Sequence, residues 1–334
     1  MNNFKKNLIL IFSSFLIIIF ICEIILRFFN LGYNNAPVDH SRIYHHINPK
    51  SFKFTSYSPS LEWKSFQIFY DNNGYRVAEQ ITENKEFPYI YFLGDSFTQA
   101  VQVEYENTFI GLLQKKYPEL NLINLGVTSY SPLIYLIQIK NIIKEKKPKY
   151  IIIQLFGNDI SNDNSYIQYA NSKDLDNIEF IDGQGNNWIR FYRYSYLLRL
   201  FRAAQQIAKF YILDNFKNEN SYNVYEFKNK IGKPNNITTN VIKKINEIAR
   251  HENIIVYYFY VPNKNLVNKK NCCENDENYF KVKNYMKNTN FIDLSNYLSN
   301  SDQDLFFNKD IHFTIYGHKK ISEALDDQLF KKIK

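Results

Sequence analysis

A serine and a histidine far apart in the chain stand in settings where they could act together as nucleophile and base. Ser96 follows a Gly-Asp pair directly after a short apolar run, and His312 stands two residues after Asp310. An imidazole can take a proton from a serine hydroxyl, and a nearby carboxylate can hold the imidazole in the required tautomer. This combination predicts nucleophilic chemistry at a carbonyl group, although a serine after a strand is also a common helix cap.

Two short polar blocks between these residues could bind negative charge that develops on a carbonyl oxygen. The first ends at Gly126, where the absence of a side chain leaves the backbone N–H accessible to a ligand. The second contains Asn158, whose side-chain amide can join backbone N–H groups around an oxyanion. Taken singly, each block is also ordinary turn sequence.

Alternating strands and helices must position these four blocks. Apolar runs predict strands at Tyr89–Leu93, Leu122–Leu125, Tyr150–Phe156, Ile254–Tyr260 and Phe291–Asp293. Helices are predicted at Thr108–Tyr117, Leu133–Lys147, Val241–His251 and from about Gly317. Continuous β-branched runs between helices are typical of a parallel sheet covered on both faces. The sequence therefore predicts a three-layer α/β/α sandwich in which each block follows the carboxyl end of a strand, where open α/β sheets bind ligands.

An apolar run near the amino terminus is long enough to cross a membrane. It extends from Leu8 to Leu26 and consists mostly of Leu, Ile and Phe. Lys5 and Lys6 precede it, so the positive-inside rule places the following domain outside the cytoplasm. A cleaved signal peptide and a buried helix are the alternatives, but the run is long for a signal peptide and lacks a small-residue cleavage site. We expect one uncleaved anchor in the cytoplasmic membrane and an extracytoplasmic domain, periplasmic or on the cell surface.

The chain divides into three parts on these patterns. They are an anchor at 1–29, a linker and packing segment at 30–84, and an α/β domain at 85–334 with an insertion at about 160–235. Within the insertion, Tyr196 to Tyr211 predicts an amphipathic helix whose basic residues are Arg199, Arg202 and Lys209. This helix could pack on the sheet or over a pocket, or it could lie on an anionic membrane.

Composition excludes several other classes of protein. The 334 residues are 45% hydrophobic and 17% aromatic, enough for one sizeable core. The net charge is +8, but the lysines are scattered among acids, so we expect no nucleic-acid partner. Cys22 lies in the apolar run, whereas Cys272 and Cys273 are adjacent, and this spacing predicts neither a disulfide framework nor a zinc site.

The four blocks, in this order, resemble those of the SGNH hydrolases, the superfamily of GDSL-like esterases and lipases. The resemblance covers about 85–160 and 240–330, and residues 71–76, reading DNNGYR, resemble a polar stretch that many anchored bacterial members carry before the first block. It implies an SGNH/flavodoxin-like fold with Ser96 as nucleophile and His312 as base. It also implies an oxyanion hole made by the N–H groups of Ser96 and Gly126 and the side chain of Asn158.

The acid of the triad is the place where the chain departs from the usual pattern. The family's aspartate usually stands three residues before the histidine, where this chain has Lys309. Related envelope-modifying members use the shorter spacing, so the resemblance implies Asp310, with Asp302 and Asp304 as less favoured substitutes. A second histidine, His318, falls inside the predicted terminal helix, where we expect a structural role.

The resemblance implies a serine esterase that hydrolyses O-acetyl or other O-acyl esters through an acyl-enzyme, without a metal or cofactor. The predicted anchor favours an ester of an envelope glycan or lipid as substrate. An O-acyltransferase that modifies an envelope polysaccharide would use the same triad and is the main alternative. A non-catalytic envelope module is disfavoured, because the Ser, Gly, Asn and His set is complete.

Overall fold

A long apolar helix at the amino terminus precedes the folded domain. The computed structural model describes residues 3–79, 87–145, 147–183, 192–214, 231–233, 236–267, 273, 276–299 and 301–333. Helix α1 spans Asn3–Phe28, and most of its apolar side chains are exposed. Among the described residues it is the one helix long and apolar enough to cross a membrane. Its length and position suit a single-pass anchor or a signal sequence.

The strands form one large sheet and one small one. In chain order they are β1 Tyr33–Asn34, β2 Asp39–Ser41, β3 His45–Ile47, β4 Phe52–Ser56, β5 Gln67–Tyr70, β6 Arg76–Val77, β7 Tyr89–Leu93, β8 Asn121–Asn124, β9 Tyr150–Leu155, β10 Ile255–Tyr260 and β11 Asn290–Phe291. The large sheet has the order β1-β4-β5-β6-β8-β7-β9-β10-β11, and β2 pairs separately with β3. Strands β8, β7, β9, β10 and β11 are parallel neighbours. Their carboxyl ends therefore lie at one edge of the sheet.

Helices cover this sheet on both faces. After α1 they are α2 Ser96–Gln99, α3 Phe109–Lys116, α4 Pro132–Glu145, α5 Asp159–Tyr166, α6 Tyr196–Asp214, α7 Ile237–His251, α8 Glu277–Tyr285, α9 Ser295–Leu298, α10 Ile315–Leu325 and α11 Lys331–Ile333. Helix α3 packs against α10, whereas α4 and α5 pack against α7. The side chains of β9 are buried on both faces of the strand. The predicted α/β/α sandwich is confirmed.

Polar side chains cap the first turns of α3 and α7. These caps explain why both helices begin at residues other than the predicted ones. Thr108 Oγ1 accepts a hydrogen bond from Gly111 N–H at 3.0 Å, so α3 begins one residue later than predicted. Asn236 Oδ1 accepts from Thr239 N–H at 2.9 Å, so α7 begins four residues earlier. Both caps satisfy N–H groups that the first helical turn leaves unpaired.

The segment at 30–84, predicted as a linker and packing segment, contributes strands to the large sheet. Antiparallel pairing joins β4 to β5 and β5 to β6, and β6 then pairs with β8 through Arg76 and Asn124. These strands are only two to five residues long. Runs this short carry little periodicity, so the sequence pattern did not predict them.

One cysteine differs from expectation. Cys273 is disulfide-bonded, whereas Cys22 in α1 is free. The sequence predicted no disulfide framework, because adjacent cysteines rarely bridge without strain, and the bond at Cys273 departs from that expectation.

Candidate active site

Ser96 is the first residue of α2, directly after the turn that follows β7, and it is only half-buried. The preceding Asp95 caps α2, because its Oδ1 accepts a hydrogen bond from Phe97 N–H at 2.9 Å. The N–H of Ser96 has no acceptor within the described part of the chain, as the first turn of a helix allows. The N–H of Ser96 is thus available to a ligand at the carboxyl edge of the sheet.

His312 closes a hydrogen-bonded chain between Ser96 and Asp310. Ser96 Oγ lies 2.8 Å from His312 Nε2, and His312 Nδ1 lies 2.5 Å from Asp310 Oδ1. The backbone N–H of His312 also donates to Asp310 Oδ1, at 2.9 Å. The two-residue spacing lets one carboxylate oxygen accept from both the ring and the backbone of the histidine. The fold therefore brings these three predicted residues together in the order that a nucleophile, a base and an orienting acid require.

The electrostatic surroundings keep Asp310 ionised. Its side chain is 24% exposed and that of His312 is 14% exposed. Burial alone would raise the pKa of Asp310, but the neighbouring His312 and its two hydrogen bonds outweigh burial, so this pKa lies below its ordinary value. An ionised Asp310 accepts the Nδ1 proton, which leaves Nε2 as the nitrogen that can accept a proton from Ser96.

The ring of Phe97 joins three of the four blocks in the core. Its centroid lies 4.9 Å from the His312 ring, 5.2 Å from Phe313 and 4.7 Å from Phe156. Phe97 is 1% exposed, and Phe156 lies two residues before Asn158. Packing around the residue next to the serine thus sets the relative positions of the serine, asparagine and histidine loops. No sequence pattern singled out Phe97 beyond its place after the serine.

Gly126 lies directly against α2. A Cβ atom at this position would come within 2.4 Å of Gln99 N, so the close approach requires glycine. The N–H of Gly126 donates to Asn124 Oδ1 at 2.9 Å, and Asn124 Nδ2 donates to Thr98 O at 2.8 Å. The Gly126 N–H is therefore used inside its own block. To bind an oxyanion as predicted, the Gly126 N–H must first break its hydrogen bond to Asn124 Oδ1.

Asn158 precedes α5, but its side chain does not cap the helix. The side-chain amide forms no hydrogen bond within the described residues, and its Oδ1 is buried. The buried Oδ1 is an acceptor without a donor, which is unusual in a folded protein. The Nδ2 group, the part of the amide that can donate to an oxyanion, likewise has no acceptor among the described residues. It lies just past the carboxyl end of β9, the strand beside β7.

Three titratable groups close to these residues are fully buried. Burial raises the pKa of Asp95 to about 6, and burial raises the pKa of Asp159 well above its ordinary value. Burial, with the positive charge of Arg76 nearby, lowers the pKa of His318 to about 3. The His318 ring stacks on Phe109 with centroids 5.7 Å apart. These contacts match the structural role predicted for His318.

Arg76 stabilises the end of α2, and no sequence pattern singled it out. Its buried guanidinium donates hydrogen bonds to the carbonyl oxygens of Gln99, Ala100 and Val103. Ala100 ends α2 in the left-handed region, with φ 54°, which is unfavourable for a residue with a Cβ atom. Burial lowers the pKa of Arg76 to about 10. The sequence feature that could have identified Arg76 is its place at the end of the polar stretch 71–76, before the first block.

A cavity of about 540 Å³ borders the loop that carries Asp310 and His312. Its walls include Trp63, Phe66, Gln102, Asn107, Phe307 and Thr314. The rings of Trp63 and Phe307 lie 4.9 Å apart. Another cavity of about 570 Å³ lies at the amino-terminal end of β10, at the opposite end of the strand from the catalytic groups. The first cavity reaches this loop through Phe307 and Thr314, whereas neither Ser96 nor His312 lines it.

Several solved structures are similar to the chain. A G-D-S-L family lipolytic protein from Desulfitobacterium hafniense has 14% identity and a TM-score of 0.41, covering 72% of this chain and 99% of its own. The psychrotrophic esterase EstA from Pseudoalteromonas has 14% identity and a TM-score of 0.38, covering 73% and 98%. The acetyl xylan esterase AlAXEase has 14% identity and a TM-score of 0.41, covering 72% and 99%. No curated protein matches the chain.

A family model gives the decisive match. The model for GDSL-like lipases and acylhydrolases matches residues 90–325, which is more than half of the chain. The matched range contains Ser96, Gly126, Asn158, Asp310 and His312. The chain belongs to the GDSL-like lipase/acylhydrolase family and is an SGNH-type hydrolase that acts on ester bonds.

Proposed function

We propose that the protein is a serine esterase that hydrolyses O-acyl esters through an acyl-enzyme on Ser96. The observation that carries this proposal is the hydrogen-bonded chain from Asp310 through His312 to Ser96. A serine hydroxyl is a weak nucleophile by itself, and a base within hydrogen-bonding distance activates it.

The reaction follows from the positions of these groups. His312 Nε2 takes the hydroxyl proton as Ser96 Oγ bonds to the ester carbonyl carbon, and the carbonyl π electrons move to oxygen. The tetrahedral intermediate collapses, the ester C–O bond breaks, and His312 returns the proton to the departing alcohol. A water molecule then attacks the acyl carbon and gives a proton to His312. The acyl C–Oγ bond breaks, His312 returns this proton to Ser96 Oγ, and the carboxylic acid leaves. Asp310 stabilises the imidazolium in both halves of the reaction.

Two donors support binding of the oxyanion in this structure. They are the N–H of Ser96 and the Nδ2 group of Asn158, neither of which has an acceptor among the described residues. Donors placed in advance, where charge develops, stabilise the transition state more than the substrate. Gly126 becomes the third donor when Asn124 releases its N–H.

The substrate in this proposal is an O-acetyl or other O-acyl ester of an envelope glycan or lipid. Helix α1 is proposed to anchor the chain in the cytoplasmic membrane, with Lys5 and Lys6 on the cytoplasmic side. The enzyme would then reach extracytoplasmic esters near that membrane. Aromatic walls at Trp63 and Phe307 suit the cavity beside the catalytic loop to an apolar acyl chain or the face of a sugar ring.

Turnover of an aryl acetate by the purified full-length protein tests the reaction. Ser96→Ala should fold, lose turnover and resist labelling by a serine-directed phosphonate, while the wild type is labelled once. Labelling that persists in Ser96→Ala would place the nucleophile elsewhere. An acyl-enzyme that turns over only after a sugar acceptor is added would replace hydrolysis by acyl transfer.

Protease accessibility tests the orientation. Protease added outside intact spheroplasts should digest the catalytic domain, because the domain is proposed to be extracytoplasmic. A cytoplasmic marker protein should survive the same treatment. Complete protection of the domain until the membrane is lysed would reverse the orientation.

A further inference from the structure

Helix α6 has two faces of different character. Arg199 and Ala203 face the domain and are 3% and 4% exposed. On the opposite face Leu198, Phe201 and Ile212 are 50%, 69% and 64% exposed. These three recur at helical spacing, so they form one apolar stripe. Helix α6 therefore packs on the domain through one face and leaves an apolar face uncovered within the described part of the chain.

Glu23 of α1 caps the amino terminus of α6. Its carboxylate accepts hydrogen bonds from the N–H groups of Tyr196 and Leu197, both at 2.9 Å, and from the Ser195 hydroxyl at 3.0 Å. Arg27 pairs with Glu23 at 2.8 Å, and its guanidinium lies 4.8 Å from the centroid of the Tyr196 ring. A carboxylate here bonds otherwise unpaired N–H groups and complements the helix dipole. The junction attaches the first turn of α6 to the end of α1.

The position of Glu23 sets the depth of this junction. Helix α1 ends at Phe28, about 7.5 Å further along its axis at 1.5 Å per residue. If α1 spans the bilayer as proposed, Glu23 lies close to the outer boundary of the hydrocarbon core. Helix α6 then begins at the level of the lipid headgroups. The exposed rings of Phe28 and Phe29 lie further from the hydrocarbon core than this junction.

The charge distribution along α6 suits an anionic membrane surface. Arg202 and Lys209 are exposed on one flank of the apolar stripe, and no acidic residue precedes Asp214 at the end of the helix. A helix with an apolar face and a basic flank lies in the membrane interface, with the basic groups near the headgroups. Gln205 is a polar residue within the stripe itself.

We propose that α6 lies in the headgroup region of the membrane that α1 spans, with its apolar stripe inserted into the lipid. This inference rests on the proposed anchoring through α1 and adds a second membrane contact. Near the far end of α6, the ring of Phe210 lies 5.6 Å from the ammonium group of Lys309, the residue before Asp310. The same helix thus holds the catalytic loop beside the bilayer. The substrate is an ester carried at the bilayer surface.

Depth-dependent fluorescence quenching tests the placement of α6. The full-length chain is reconstituted into vesicles of phosphatidylcholine and phosphatidylglycerol that contain lipids with a nitroxide at a shallow or a deep acyl position. An environment-sensitive fluorescent amino acid replaces Phe201, and matched proteins carry it at Phe12 in α1 or Glu247 on α7. We expect the shallow nitroxide to quench position 201 several-fold more than position 247. The deep nitroxide should quench position 12 most.

Each other result overturns the inference in a distinguishable way. Quenching at position 12 with position 201 no different from position 247 would remove α6 from the membrane and leave the anchor in place. Absence of quenching at both 12 and 201 would remove the anchor as well. Shielding of position 201 from both the nitroxide lipids and aqueous iodide would mean that protein, such as a second copy of the chain, covers the stripe. Ile212 is a second position on the stripe if replacement of Phe201 prevents folding.

Discussion

The candidate active site contains two sets of polar residues with different surroundings. We call the half-buried set the rim, namely Ser96, Asn158, Asp310 and His312. We call the fully buried set the floor, namely Asp95, Asp159 and His318. Both sets come from the same blocks of sequence, and each contains aspartate and histidine. Burial and the available hydrogen-bond partners therefore separate the groups that can react from the groups that hold the structure.

The aspartates show this difference most clearly. Asp310 on the rim accepts from the ring and backbone of His312, which outweighs burial and lowers its pKa. Asp95 on the floor accepts from Phe97 N–H, but burial dominates and raises its pKa to about 6. Asp310 can thus stabilise a cation at neutral pH, whereas Asp95 is costly to ionise in the folded state.

Substitution of the two histidines should produce the largest contrast. His312→Gln removes the base, and kcat should fall by roughly 10⁶-fold, the scale seen when one member of a serine-hydrolase triad is lost. His318→Gln should keep kcat within about tenfold and lower the unfolding free energy by roughly 1–3 kcal/mol, because the stacking on Phe109 is lost. Aryl acetate kinetics and chemical denaturation measure the two effects. A His318→Gln protein that is stable but inactive would mean that His318 takes part in catalysis and does not serve only to hold the structure.

Substitution of the rim aspartate should have the next largest effect. Asp310→Asn leaves the geometry intact but removes the charge that orients His312, so kcat should fall by roughly 10⁴-fold. Asp302→Asn and Asp304→Asn are matched controls in the same loop and should be close to wild type. Loss of activity in a control, with Asp310→Asn near wild type, would assign the triad acid to the control residue. Full activity in all three would reduce the triad to a Ser-His dyad.

A smaller loss is expected when the unpartnered rim amide is removed. Asn158→Ala should lower kcat by roughly 10²–10³-fold with little change in KM, because the amide acts on the oxyanion of the transition state. The control is Asn162→Ala on the same helix, where the amide donates to Ser129 O at 3.0 Å instead. Equal losses in both variants would mean that Asn158 supports the loop rather than the oxyanion.

The smallest effect concerns the pH dependence of stability. Burial raises the folded-state pKa of Asp95 from 3.8 to about 6. The ionised carboxylate therefore destabilises the folded protein, an effect that is absent below pH 3.8 and complete above about pH 6. The unfolding free energy of the wild type should therefore fall relative to Asp95→Asn, by up to about 3 kcal/mol, as pH rises through this range. Denaturation of both full-length proteins in detergent at several pH values measures the difference. Parallel curves would show that Asp95 is not the group with the raised pKa.

Much of the site was predictable because its signals are local. The short apolar runs before Ser96 and Asn158 predicted strands, and parallel strands bring their carboxyl ends to one edge of the sheet. The resemblance implied Asp310 as the partner of His312, and the fold contains this contact. The hydrogen bond from Gly126 to Asn124 was not predictable, since it depends on the conformation of both residues in the turn.

The sequence by itself determined the α/β class, the order of the four blocks and the apolar helix α1, because each depends on periodicity or composition within a short window. Only the tertiary structure decided that Arg76 supports α2 and that strands from 30–84 extend the sheet. It also decided which face of α6 is exposed among the described residues. These features depend on contacts between residues far apart in the chain. A local pattern shows that a helix has an apolar stripe or that a carboxylate follows a strand, but only the folded neighbours determine whether either is buried.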